Sequence, residues 1–376
     1  RMRVMRAAFF FVMCFPILLL SSCEFHQLTN EKKQVTKEKK MENEFENFKA
    51  EQNLLENIQP IEAEENTFQN ITGWFHETAV LYIKNLEDRS EVICHDLQIG
   101  KDELFFQTKH PIIQTVPNDR RTIFLIHSSP ETNQAILTFV NTEGEELFHW
   151  EINAFELQYT WNPYNENELM VTAFAEDWSY KTYLLDLKEK KVVDSPYQIP
   201  FSQWTDEDRI TYVKWNNDEP ELSAPLYEAN LMKHHEKKIA DHVIGNGNFS
   251  SIVMYLQENQ QEKGFGQYVF INSSSKKVLS TFRVPLASDY SQWIFPYYDF
   301  NAQNQQFYTF VPVAKSQDGS FELQRFNLIT KKKETIFKNV TNDPILISPS
   351  GHYALYGPRL EKIMDLRKEK IQEIVK

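Results

Sequence analysis

The side chains of this chain that could do chemistry do not form a familiar constellation. His76-Glu77 and His234-His235-Glu236 set imidazoles beside carboxylates, but neither has the second histidine that a zinc-binding helix supplies. No Gly-x-Ser-x-Gly elbow presents a nucleophilic serine, and no glycine-rich loop cradles a phosphate. Ser273-x-x-Lys276 and Ser274-x-x-Lys277 have a serine–lysine spacing, but they stand in a lysine-rich turn where that spacing arises by accident. No catalytic residue, metal ligand or cofactor is assigned from these patterns.

Two groups hold more promise. Glu77, Asp206 and Asp208, with His76, Asp119, Arg120 and Glu207, fall in turns between consecutive apolar runs. If those turns converge, neighbouring carboxylates could raise one pKa or hold a cation. The second group is Trp293-Ile294-Phe295-Pro296-Tyr297-Tyr298-Asp299-Phe300, the richest aromatic stretch of the chain. Large amphipathic rings are favoured at interfaces, so Trp293, Tyr297, Tyr298 and Asp299 are the candidate ligand-binding residues here. Core packing competes with that reading.

The elements that must position these groups are written into a repeat. An apolar strand, an Asp or Asn step, a polar turn and a further strand recur at Asp96-Leu97, Asn141-Thr142, Asp186-Leu187, Asn230-Leu231, Asn272-Ser273, Asn327-Leu328 and Asp365-Leu366. The spacing averages about 45 residues, the period of four-stranded propeller blades. Each unit carries a strongly apolar second strand, such as Leu169–Phe174 or Phe307–Val311, as expected where neighbouring blades cover both faces. Trp74, Trp161 and Trp204 close first strands at equivalent places, so packing between blades explains them better than stacking on a sugar. Lysines just past the steps, as in Lys188-Glu189-Lys190-Lys191 and Lys331-Lys332-Lys333, suit exposed outer edges. The fold class is therefore all-β, a single closed β-propeller of six or seven four-stranded blades over residues 66–376, with a strand near Phe68–Ile71 expected to complete the last blade. The Asn272-to-Asn327 interval is the longest, and insertions of this kind often serve a binding face.

Upstream, Arg1, Arg3 and Arg6 precede the apolar run Ala7–Leu20, which ends in Leu20-Ser21-Ser22-Cys23. Residues 1–22 read as a secretory signal, and the tetrapeptide has the form of a lipobox, with Cys23 as the lipidated residue. Residues 24–65 are dominated by Glu, Lys, Asn and Gln with no glycine, a composition that cannot bury enough apolar surface to order itself; with Cys23 they form the tether. The net charge of −13 includes the three leader arginines and repels phosphate backbones, which argues against nucleic acid as a partner. Of the three cysteines only Cys94 lies in the body, as a small buried hydrophobe.

The lipobox, the charged tether, Gly73-Trp74 followed by Val80-Leu81-Tyr82, and the late Ser348-Pro349-Ser350-Gly351 together resemble the YqgU-like bacterial lipoproteins. That resemblance implies a six-bladed propeller and brings no established activity and no catalytic residues. Seven units are counted here; a blade shared by the chain's terminal units, or over-splitting around Gly245–Phe249, would reconcile the two numbers. The function expected is that of a membrane-anchored, extracytoplasmic lipoprotein whose propeller binds or scaffolds a cell-envelope protein, peptide or wall glycan without catalysis. The alternative is a lactonase-like or glycan-cleaving propeller hydrolase using the channel-mouth carboxylates. Oligomeric state is not indicated.

Overall fold

The computed structural model describes residues 57–64, 66–216, 221–313 and 319–376. The leader, Cys23 and the tether up to residue 56 lie outside the described residues. Among the described residues every regular element is a β-strand, and every strand pairing in the sheets is antiparallel. Seven four-stranded meanders follow one another, and five of them are separate sheets in strict sequence order. The fourth and fifth are fused: strand His235–Phe249 is the outer strand of unit 4 and then, past a bulge between Val243 and Gly245, the inner strand of unit 5. Six main sheets thus carry seven units, with the fusion at the Gly245–Phe249 stretch.

First strands approach their counterparts in the next unit, as Phe68–His76 does Ile112–Pro117, and they line the centre. Second strands, such as Ala79–Asn85, Glu168–Phe174 and Ile252–Glu258, are almost wholly buried between neighbours. Fourth strands, such as Lys101–Thr108 and Glu146–Asn153, are largely exposed.

The repeated Asp/Asn step has a direct physical role. In all seven units its side-chain Oδ1 accepts backbone N–H groups two to four residues on, for example Asp96 from Gln98 (2.8 Å) and Asn272 from Ser275 (2.8 Å). The side chain closes the turn between third and fourth strands in place of a backbone carbonyl. The next residue ties this turn to the one between first and second strands: Leu97 N–H donates to Thr78 O, Leu187 to Asn167 O and Leu328 to Gln305 O. Each of these turns also contains one residue with left-handed φ. In a chain with only ten glycines that residue is glycine twice (Gly100, Gly144) and otherwise Lys190, His234, Lys276, Lys331 or Glu369.

The tryptophans join units as expected. Trp74, Trp161 and Trp204 are buried, and each indole N–H donates to a carbonyl on the first strand of the preceding unit: Leu346 (2.9 Å), Val116 (3.2 Å) and Thr160 (3.1 Å). Trp74 and Leu346 belong to the first and last units, so this contact closes the ring.

The expected closing strand is corrected. Phe68–His76 is the first strand of unit 1, paired to Ala79–Asn85. The chain end is held instead by the segment around Ile61, which runs parallel to residues 374–376 through Ile61 N to Ile374 O (2.8 Å) and Lys376 N to Ile61 O (3.0 Å). Ile58 and Ile61 are buried with Tyr353, Ile363 and Ile374, so the packed body reaches upstream of the tether boundary drawn at residue 65. His95 clamps this segment: its Nδ1 meets Asp102 Oδ1 at 2.6 Å and its Nε2 meets Gln59 O at 2.8 Å.

Candidate functional site

In an antiparallel meander, alternate connections lie at opposite ends of the strands, and so on opposite faces of a disc built from such sheets. The turns after first and third strands share one face of each unit; those after second and fourth strands share the other. This divides the candidate residues. Glu77, Asp206 and Asp208 lie in turns after first strands, while Trp293 and Tyr297 lie in the connection into the first strand of unit 6 and Tyr298 and Asp299 begin that strand (Tyr298–Asn301).

The carboxylates are committed to the fold. Glu77 accepts Ser350 N–H (2.7 Å) and the Ser350 hydroxyl, linking the first unit to the last. Asp206 is ion-paired with Arg209, which holds its carboxyl below the usual range. Asp208 accepts Asn230 Nδ2 at 3.1 Å. The Ser273–Lys276 pair is likewise structural, since Lys276 Nζ bonds Glu228 and the Ser273 carbonyl.

The other face holds a cavity of about 770 Å³ between units 3 and 6. Two short first strands flank it. Gln203–Trp204 has two residues and Tyr298–Asn301 has four, and the irregular segments that precede them supply much of its wall. Phe201 and Pro200 come from one of them, Phe295 to Tyr298 from the other; Tyr180, Tyr212 and Trp215 complete the aromatic lining. Gly245 and Gly247 let the second wall close. A Cβ on Gly245 would lie 2.5 Å from the Phe295 ring, and one on Gly247 would lie 2.5 Å from the Tyr298 hydroxyl. Only the absence of a side chain allows these rings to lie against the strand.

Charge in the cavity is internally balanced. Lys214 Nζ meets Glu236 Oε1 at 2.6 Å, and the Tyr212 hydroxyl donates to Glu236 Oε2. Lys214, then Tyr212, holds the Glu236 carboxyl down, while burial, then Glu236, pushes the Tyr212 phenol up. Gln158 and Gln203 line both this cavity and a smaller one along the first strands, with Asp119, Trp161 and Asn248. A third hollow on the same face, of about 460 Å³, includes His127, whose pKa burial lowers to about 4.

The structure therefore brings Tyr297 and Tyr298 into the cavity wall. Trp293 stands behind it, its indole N–H on Glu258 Oε1 at 3.0 Å. Asp299 faces inward: it accepts Ile347 N–H (2.6 Å) and Phe300 N–H (2.8 Å), and burial pushes its carboxyl to about 6 despite the Arg121 guanidinium. Sequence reasoning missed Phe201, Tyr212 and Trp215. Gly245-Asn246-Gly247, a dense use of a scarce residue, was the available signal. Cys94 is half-buried, and burial pushes its thiol to about 12, well outside the reactive range. Among the described residues no three His, Cys, Asp or Glu side chains are grouped as a metal site requires.

A ring of four-stranded meanders around a lined centre, with a ligand-sized cavity on one face, defines a β-propeller. The chain belongs to the family described as the YqgU-like 6-bladed beta propeller domain, which matches residues 96–357. It is 27% identical over 373 residues to the uncharacterized lipoprotein YqgU of Bacillus subtilis (strain 168), covering 99% of this chain and 98% of that one. In accord with that relative, it is a lipoprotein held by lipid at the extracytoplasmic face of the cell membrane. The crystal structure of an uncharacterized protein from Listeria monocytogenes EGD-e superposes with a TM-score of 0.77 at 18% identity, over 85% of this chain and 98% of that one. An oligogalacturonate lyase from Vibrio parahaemolyticus superposes with a TM-score of 0.55 at 10% identity, over 78% and 88%. These two likenesses concern the fold alone.

Proposed function

We propose that the propeller is a non-enzymatic binding module that a lipoprotein anchor presents to a partner in the cell envelope. Cys23 carries the lipid in this reading, and the polar stretch from residue 24 to 56 is the tether that lifts the disc from the bilayer. Two acyl chains or more give lasting attachment. The observation that carries the reading is the aromatic cavity of about 770 Å³, a size typical of ligand sites. Its lysine and carboxylate neutralise each other, so it offers apolar contact and hydrogen bonds rather than acid–base chemistry. That Glu77, Asp206 and Asp208 each already hold a donor from this chain favours binding over the lactonase-like or glycan-cleaving alternative.

Lysine-directed crosslinking with mass spectrometry, on intact cells displaying the lipidated protein, tests this. One abundant envelope protein joined repeatedly through Lys214 and Lys263, beside the cavity face, is expected. Links scattered around the outer edges, with no recurrent partner, would count against it.

A further inference from the structure

The two faces differ in a way that reaches past the cavity itself. Seven aromatic side chains are exposed among the described residues, and all lie on or directly beside connections of the cavity face. Phe155, Phe201, Tyr290 and Tyr297 come from connections into first strands, and Trp178, Tyr180 and Trp215 from the ends of second-to-third connections. On the opposite face the exposed apolar residues, among those described, are the aliphatic Ile99, Met232, Val278 and Ile329. Three of the aromatics sit at left-handed φ: Trp178 (64°), Phe201 (58°) and Tyr290 (52°). That conformation is unfavourable for a bulky residue, and Tyr290, fully exposed, returns no packing for it. The Phe201 backbone is held there by donating to Gln158 Oε1 at 2.7 Å.

The cavity also offers unpartnered hydrogen-bond donors, of which the Trp215 indole N–H can only donate. The indole N–H of Trp215, the hydroxyl of Tyr297 and the amide N–H groups of Gln158 and Gln203 line it or its rim, and none of these donors has a hydrogen-bond partner among the described residues. Both Glu236 oxygens, the strongest acceptors present, are taken by Lys214 and Tyr212. Around it, the described residues of the connections of units 3 to 6 on this face hold five Asp or Glu (Glu176, Asp177, Glu221, Glu262 and Asp289) against Lys214 and Lys263, and Glu262 is paired with Arg283. Lys214 is already paired as well.

We infer that this face binds an extended, proline-rich peptide segment flanked by basic residues, displayed by an envelope protein. This rests on the binding-module reading and names its ligand class. A polyproline helix carries carbonyl acceptors and few N–H donors, has no internal hydrogen bonds, and docks its ring edges into aromatic grooves. It fits a cavity rich in rings and donors. A glycan brings as many donors as acceptors, and an anionic bilayer meets the acidic rim with repulsion. The basic flanks complement that rim and steer the encounter.

The test is fluorescence anisotropy with a labelled oligoproline peptide bearing lysines at both ends, on the soluble residues 57–376 and on the full lipidated chain in detergent. Controls are the same peptide with alanine and serine in place of proline, chito-oligosaccharide, and phosphatidylglycerol vesicles. Saturable binding of the oligoproline is expected, weakened about tenfold or more in Trp215→Ala and Tyr297→Ala, whose side chains are exposed enough to leave the fold intact. Asp289→Lys with Glu176→Lys is expected to weaken it severalfold at low salt and less at high salt. Equal binding of the alanine–serine control, or none of the oligoproline at about 1 mM, overturns the ligand class. Binding of the saccharide that is lost in Trp215→Ala overturns it too, while leaving the binding module intact. Vesicle binding lost in the same variants replaces the peptide with a membrane surface. If Trp215→Ala and Tyr297→Ala change the binding of no probe, the cavity reading falls as well.

Discussion

Replacing Gly245 by alanine probes the cavity wall with a single methyl group. The new Cβ would lie 2.5, 2.6 and 2.7 Å from three atoms of the Phe295 ring, distances that real contacts do not reach. Gly245 has an ordinary backbone conformation, so the substitution carries no φ penalty; by itself it would stabilise by about 0.4–1 kcal/mol through the unfolded state. The ring cannot stay. Phe295 also packs on Tyr298, with centroids 5.4 Å apart, so its displacement spreads along the wall. Overpacking of this kind costs about 1–3 kcal/mol, for a net loss of up to about 2.6 kcal/mol and centred on roughly 1.3 kcal/mol. Urea unfolding should show a lowered midpoint with unchanged slope, as for a change in native packing alone. Near-ultraviolet circular dichroism should change with the tyrosine and tryptophan environments, and oligoproline binding should weaken with it. Gly264→Ala is the control: nothing lies within 4 Å of its Cβ but φ is +83°, so it should lose stability through strain while leaving the aromatic spectrum and the binding unchanged. A Gly245→Ala protein as stable as the parent, with an unaltered aromatic spectrum, would refute the argument that this glycine shapes the wall.

Other outcomes follow from the same structure. Trp204→Phe removes the indole bond to Thr160 O and leaves a void between units 3 and 4, so thermal unfolding should show a loss of about 2–4 kcal/mol. Lys190→Gly relieves a left-handed turn residue at φ 51° and should stabilise by about 0.5–1 kcal/mol by denaturant titration. Burial raises the Asp299 carboxyl from 3.8 to about 6, so its neutral form is favoured in the fold. The contribution is full below pH 3.8 and is lost as pH rises through 6. Stability measured across pH should therefore shift in favour of Asp299→Asn by up to about 3 kcal/mol between pH 4 and 7, whatever offset its two backbone donors impose; a pH-independent difference would contradict the burial.

The repeat was legible because its cause is local. Asp96, Asn141 and Asp186 each hold the backbone of their own turns, and such bonds leave a residue-type signature at a fixed place in each unit. Trp74, Trp161 and Trp204 were legible as joints because they recur at equivalent places in their units, although their bonds reach the neighbouring unit. The closure was not, because Ile61 and Ile374 meet through backbone groups that any sequence could supply. Of the cavity, Tyr297 and Tyr298 stood out in an aromatic run. Phe201 and Trp215 did not, since they come from irregular connections with no period. The carboxylates looked like a convergent set, but Ser350 and Asn230, which hold Glu77 and Asp208, come from distant turns or strands that spacing does not reveal, while Arg209 holds Asp206 from three residues on.

The account stands or falls on which face of the disc meets its partner. A photo-activatable phenylalanine analogue at Tyr297, on the cavity face, and at Met232, on the opposite face, compares two exposed positions in intact cells. The account predicts a discrete protein adduct from position 297 that is lost when Trp215→Ala is added, and none from position 232. A discrete adduct from position 232 with none from 297 would contradict it.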